Sequence, residues 1–149
     1  MSDREALKDE YLDHMMNPRN YGVVKDENAK GIGINPNNNE LVEIYLKVDK
    51  DKKIQDIKFQ AIGCMSTIVT GSIFTDIIKG ESLDEASDVA EEFLEKVKFA
   101  PEEERACSEM VAKSFLASVI NFSNREDGKD EKEYSLAIST DCVVVEDEN

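Results

Sequence analysis

A change of hydrophobic period at Gly63 constrains this chain more than any other feature. Before it, apolar residues alternate. Val42, Ile44, Leu46 and Val48 fall on one side of a strand over residues 41–48, and Leu41, Glu43, Tyr45 and Lys47 fall on the other. After the charged connection Asp49 to Lys53, residues 54–62 repeat the pattern with Ile57, Phe59 and Ala61. So short a connection makes the two strands an antiparallel hairpin. Beyond Gly63 the period becomes helical. Ile68, Val69, Ile73, Phe74, Ile77 and Ile78 form a broad stripe over about residues 65–79, closed by Gly80. The junction sets Cys64 at a helix N-terminus, where free N–H groups and the helix dipole favour an anionic sulfur.

A hairpin with one apolar face needs a cover, and the rest of the chain supplies helices. Residues 3–16 carry Leu7, Tyr11 and Met15 at helical spacing, widened by Leu12 and Met16, and stop at Asn17-Pro18. Ser82-Leu83-Asp84-Glu85 reads as a capping box opening a third helix. Its buried face is marked by Leu83, Ala86, Ala90, Phe93, Leu94 and Val97. Pro101 and Glu102-Glu103-Glu104 start a long last helix striped by Ala112, Phe115, Leu116, Val119 and Ile120, with Cys107 near its beginning. Gly31-Ile32-Gly33-Ile34 offers a short edge strand ahead of the polar loop Asn35-Pro36-Asn37-Asn38-Asn39-Glu40. The expected architecture is therefore α+β, a small and mostly antiparallel sheet of three strands with helices packed on one face. Residues 1–124 make the domain. Residues 125–149 are an acidic linker and tail, with a candidate extra strand in Tyr134 to Val145.

Charge narrows the partners. The net charge is −15 over 149 residues. That argues against nucleic acid, which needs a basic face, and against an anionic membrane surface. A basic protein partner is compatible. Three cysteines are too few for a disulfide framework, and no signal-like or bilayer-spanning run is present. A cytoplasmic chain with available thiols is expected.

Few groups can carry chemistry. The single histidine, His14, excludes a histidine-rich zinc site and reads as a partly exposed helix residue. A Cys64–His14 dyad would need the two within hydrogen-bond reach. No phosphate-binding or dinucleotide-binding glycine motif occurs. What remains is Cys64, Cys107 and Glu40. If both cysteine-bearing helices start at one sheet edge, two thiolates and a carboxylate converge in a set suited to zinc or iron. On residues alone the competing reading stands: two buried thiols acting as small hydrophobes.

The order of landmarks resembles the iron–sulfur cluster assembly scaffold family, of the IscU type and the N-terminal domain of the NifU type. Asp13-His14 with Asn17-Pro18-Arg19-Asn20-Tyr21-Gly22 is similar to the family's D-H then N-P-R-N-x-G segment. Phe59 to Ser66 is similar to F-x-x-x-G-C-x-S. Lys79 to Ala86 is similar to K-G-K-S-x-x-E-A, and Cys107 stands at the third cysteine. The resemblance covers about Leu7 to Phe122 and implies a SufE/NifU-like fold. It also implies a non-enzymatic scaffold that binds iron or zinc, accepts sulfur from a cysteine desulfurase and passes clusters to recipient apo-proteins. Cys64 and Cys107 become cluster ligands, Glu40 joins them as a metal ligand, and Cys107 is the persulfide acceptor.

The departures are as specific. Alignment on Pro36 puts Asn38 where the family carries its first cysteine, with Asn39 and Glu40 at the following glycine and aspartate. Ala106 stands where a histidine is usual. Ala100-Pro101-Glu102-Glu103-Glu104 replaces the segment gripped by a dedicated Hsp70 chaperone, so chaperone-driven release is not expected. A [2Fe–2S] cluster asks for four ligands, and a neutral amide does not replace a thiolate. The cluster is expected to be labile or incomplete, or to be completed by Cys142, a homodimer partner or a small thiol. A mononuclear zinc or iron site on Cys64, Cys107 and Glu40 is the simpler option. The alternative function is a binding or regulatory module of the same fold that does not assemble a stable cluster.

Overall fold

The computed structural model describes residues 3–99 and 102–138. Helix α1 (Asp3–Met16) is followed by β1 (Ala29–Asn35), β2 (Glu40–Val48) and β3 (Ile54–Ile62). Three helices come next, α2 (Met65–Ile78), α3 (Leu83–Val97) and α4 (Glu102–Glu126), and then β4 (Tyr134–Ala137). The sheet order is β3-β2-β1-β4. β1 and β3 both pair antiparallel with β2, and β4 pairs parallel with β1.

In β2, Val42, Ile44, Leu46 and Val48 are buried as the alternation requires, and Tyr45 on the opposite face is buried as well, its ring under Lys30 Nζ and its hydroxyl bonded to Glu43. In β3 the register shifts beside Val48, which pairs with Ile54 while Lys47 pairs with Asp56. That irregularity brings Ile54 to the same buried face as Ile57 and Phe59. The strand count differs from the expected three. Tyr134–Ala137 joins β1 from Gly31 to Ile34, so the short strand expected at the sheet's edge lies inside it.

Two glycines explain how α4 sits on β1. A Cβ at Gly31 would lie 2.2 Å from the Ser114 carbonyl oxygen, and one at Gly33 would lie 2.2 Å from that of Met110. The helix backbone therefore rests on the strand with no side chain between them. Small and polar residues, Ser114, Ala117, Ser118 and Asn121, line α4 where it is fully buried. Asn121 accepts the Lys30 N–H at 2.8 Å. Moving from Gly31 to Gly33 along β1 moves from Ser118 towards Met110 along α4, so the helix runs antiparallel to the strand. The start of α4 is thereby carried to the end of β1 that feeds the Asn35–Glu40 loop. Behind the sheet, Phe74 of α2 packs edge-on against Phe93 of α3 and Phe115 of α4, with centroids 5.0 and 5.8 Å away. Burial of a ring of this size contributes about 2–3 kcal/mol. The Ser82–Glu85 capping box forms at the head of α3.

Helix α2 departs from a simple apolar stripe. Its buried residues include Thr67, Ser72 and Thr75, whereas Ile77 is exposed. The hydroxyls at Ser72 and Thr75 receive the segment after α1. Ser72 Oγ accepts the Arg19 N–H at 2.7 Å and lies 2.7 Å from His14 Nδ1. Asn20 Nδ2 donates to Thr75 Oγ1 at 3.1 Å. Asn20 and Gly22 also exchange backbone hydrogen bonds with Phe59, which covers the free edge of β3. His14 is thus buried rather than partly exposed. A ring of this size at the α1–α2 contact is tolerated because its polar atom has a partner.

Candidate functional site: a two-sulfur edge

The edge of the sheet where β1 turns into β2 is built by the asparagine loop. Asn35 pairs with Glu40, and residues 36–39 form the connection. Asn35 Oδ1 accepts the Asn37 N–H, and Asn38 Oδ1 accepts the Glu40 N–H, both at 3.0 Å. Asn39 has φ of 64°, a left-handed conformation that asparagine tolerates better than most residues. These side-chain bonds stand in for the missing ladder, and they fix where Glu40 leaves the turn.

Cys64 caps α2 with extended backbone (φ −84°, ψ 173°), as the switch of period at Gly63 requires. Its sulfur lies at the surface, beside the first N–H groups of the helix. Cys107, one turn before Met110 on α4, is buried. The two Sγ atoms lie 3.9 Å apart. Thr67, fully buried in the first turn of α2, touches both: its hydroxyl donates to Cys107 Sγ at 3.2 Å and lies 3.7 Å from Cys64 Sγ. Glu40 approaches from the loop side. A Cβ placed on Gly63 would lie 3.4 Å from Glu40 Oε1 and 3.3 Å from Thr67 Oγ1. Asn38 is exposed on the loop, its amide oxygen spent on the Glu40 N–H.

The two thiols differ in acidity. For Cys64, partial burial acts to raise the pKa but is outweighed by the Thr67 N–H and hydroxyl, the Ser66 N–H and the Cys107 thiol, so the pKa falls below the usual cysteine value. For Cys107, burial is the main effect. Thr67 opposes it, and the neighbouring Cys64 and Glu40 reinforce it, so that pKa is pushed up to about 11. One thiol is exposed and inclined to ionise. The other is enclosed and held neutral.

Among the described residues, no three His, Cys, Asp or Glu side chains are grouped closely enough to hold a metal ion by themselves. The described core of the site is a sulfur pair with a shared hydroxyl and a carboxylate alongside. Cys142 lies outside the described residues. His14 does not join the pair. It is bonded to Ser72, eight residues beyond Cys64 on α2 and so about 12 Å further along the helix, which removes the Cys–His dyad. Thr67 escaped the reading of the sequence because a search for an apolar helical stripe passes over a threonine. The signal available was its position three residues after a Gly-Cys junction, in the first helical turn.

Together, the fold and the paired sulfurs define a class: a small α+β domain that presents thiols at the common edge of a hairpin and two helix starts. A profile of the NifU-like N terminal domain matches residues 6–129, and the chain belongs to that family. It is 33% identical over 139 residues to an iron–sulfur cluster assembly scaffold protein IscU of Archaeoglobus fulgidus, covering 93% of this chain and 90% of that protein. It is 31% identical over 134 residues to the IscU scaffold protein of Escherichia coli, covering 83% of this chain and 99% of that one. These relatives are named as scaffold proteins and not as enzymes. Among solved structures, the N-terminal NifU-like protein of Brucella abortus matches with a TM-score of 0.65 at 13% identity, covering 78% of this chain and 93% of that one. A scaffold protein for the SUF system from Fervidobacterium islandicum matches with a TM-score of 0.60 at 20% identity, covering 72% and 91%. The structural matches establish the shared fold.

Proposed function

We propose that the chain is a scaffold or carrier in iron–sulfur cluster assembly, binding iron or zinc and accepting sulfur from a cysteine desulfurase. The observation that carries the reading is the 3.9 Å approach of Cys64 and Cys107 at one sheet edge, in a chain whose relatives are named as such scaffolds. Two soft sulfurs at this separation suit a shared thiophilic metal once both are deprotonated. A metal drawn to them takes its remaining positions from Glu40 and from water or a further thiol. Iron and sulfide are cargo here, held and then released to recipient apo-proteins.

The family's first thiolate position is occupied by Asn38, and the left-handed backbone at Asn39 supports that alignment. Such a site holds a [2Fe–2S] cluster less firmly than one with a third thiolate. In this reading the first acceptance of sulfur, expected of Cys107, falls to the neighbouring thiol. Cys107 is enclosed behind Cys64, so Cys64 is the thiol that meets a donor first. The chain's net charge of −15 suits a protein partner that offers a basic surface. No described helix is long and apolar enough to cross a membrane.

Anaerobic reconstitution with iron, cysteine and a desulfurase tests the reading, comparing wild type, Asn38→Cys and Cys64→Ser. A weak cluster chromophore in wild type, a persistent one in Asn38→Cys and none in Cys64→Ser is the expected result. No metal or sulfur uptake by any of the three would sink it.

A further inference from the structure

We infer that Cys64 and Cys107 act together as a two-electron reductant that converts sulfane sulfur into sulfide. The inference rests on the scaffold reading only for the identity of the sulfur donor. Three features of the geometry carry it. Cys64 is exposed and Cys107 is buried, so a donor of any size meets Cys64 and cannot meet Cys107. The Cys107 sulfur lies 3.9 Å from the Cys64 sulfur, close to van der Waals contact. The Thr67 hydroxyl touches both sulfurs, at 3.2 and 3.7 Å, and holds the buried one facing the exposed one.

The chemistry follows from which sulfur each thiol can reach. The Cys64 thiolate attacks the outer sulfur of a donor persulfide, R–S–SH. The donor's S–S bond breaks, R–S⁻ leaves, and Cys64 carries –S–SH. The atom now facing Cys107 is still Cys64 Sγ, the inner sulfur of that persulfide. Cys107 passes its proton to the outer sulfur and attacks the inner one as the thiolate, which forms the Cys64–Cys107 disulfide and breaks the bond to the outer sulfur. That sulfur leaves with the electron pair as H₂S. The sulfane sulfur gains two electrons and the two thiols lose two. A dithiol reductant in the cell then regenerates the pair by thiol–disulfide exchange. Sulfide, rather than sulfane sulfur, is the oxidation state an iron–sulfur cluster contains, so the pair supplies sulfur in usable form. Thr67 is a positioning residue in this scheme, since it makes and breaks no bond.

The test uses the full chain carrying C142S, so that only the pair reports, fully reduced and anaerobic. It receives one equivalent of glutathione persulfide. Sulfide is trapped with monobromobimane, and the cysteines are mapped by peptide mass spectrometry. The expected result is about one sulfide per chain together with a Cys64–Cys107 linked peptide. Adding C107S leaves a single extra sulfur on Cys64 and slows sulfide release by roughly tenfold or more. T67V lets the persulfide on Cys64 accumulate before the linkage forms, and T67S restores the wild-type course. The inference is overturned by an extra sulfur that persists on either cysteine with no linked peptide. It is overturned equally by glutathione on Cys64 in the C107S chain, or by sulfide release that C107S does not change. The linked peptide is read in the chain with both cysteines, so misfolding of a variant does not hide the answer. Loss of the scaffold reading would show differently, as absent desulfurase binding with sulfide release intact.

Discussion

The two ends of α2 bury the same kind of residue and use it in opposite ways. Towards the C-terminal end, Ser72 and Thr75 are fully buried, and their oxygens are bonded to Arg19 N–H, His14 and Asn20. At the N-terminal end, Thr67 is equally buried, yet its hydroxyl is turned to two sulfurs. The first end spends its polar capacity on backbone and amide partners. It becomes a clasp that fixes α1 and covers the edge of β3. The second end spends its capacity on soft, weakly accepting atoms that keep their own reactivity. Buried polar groups stabilise when saturated by strong partners. Where the partners are sulfurs, the same burial leaves two reactive atoms facing each other.

Substitutions separate the two ends, and the clasp gives the largest effect. Ser72→Ala strands the Arg19 N–H and removes the partner of a buried histidine. It should cost about 2–3 kcal/mol in urea unfolding, while the Cys64 alkylation rate in the native state stays as in wild type. If alkylation changes in parallel with stability, the ends are coupled and the contrast fails. At the other end of the helix, Thr67→Val is nearly isosteric. It should cost about 1 kcal/mol and, unlike the clasp variant, should alter the relative alkylation of Cys64 and Cys107.

The acidity difference within the site gives a third comparison. Alkylation by iodoacetamide needs the thiolate. Modification of Cys64 should rise at a pH below that of an ordinary cysteine, whereas Cys107 should stay unmodified until the pH nears about 11. A single shared profile for the two thiols would refute the asymmetry. The same shift has a stability sign. Cys107 keeps its proton in the folded state to about pH 11, against an ordinary value of 9.0. Its contribution is therefore full below pH 9 and is lost as pH rises towards 11. Replacing it by alanine should remove that part of the alkaline loss, about 2–3 kcal/mol. The smallest effect belongs to the exposed loop. Asn38→Cys gives up the Glu40 N–H bond at an exposed turn, where water replaces it, and keeps the Asn35–Asn37 bond, so stability should change by less than about 0.5 kcal/mol, while cluster retention changes in the reconstitution above.

Much of the fold was legible in the residues because local periods carry it. The hairpin was readable from alternation at Val42 to Val48, and α3 from its capping box. The fourth strand was harder to assign. Tyr134–Ala137 is only half-buried and alternates weakly, and its pairing with β1 across about a hundred residues is non-local. Two cysteines far apart in sequence were candidates for a joint site, but on the residues alone two inert buried thiols were the simpler reading. His14 was misjudged because the polar side of α2 that receives it has no period to mark it.

By itself, the sequence determined that a strand ends and a helix begins at Gly63, that Cys64 therefore caps the helix, and that the summed charge is strongly negative, which disfavours contact with a phosphate backbone. Those follow from short-range sterics, backbone hydrogen bonding and summed charge. The tertiary structure alone decided that α4 lies directly on Gly31 and Gly33. From that contact it follows that Cys107 arrives behind Cys64, one sulfur exposed and the other enclosed. Packing between distant segments sets such distances and burials, and no local pattern encodes them.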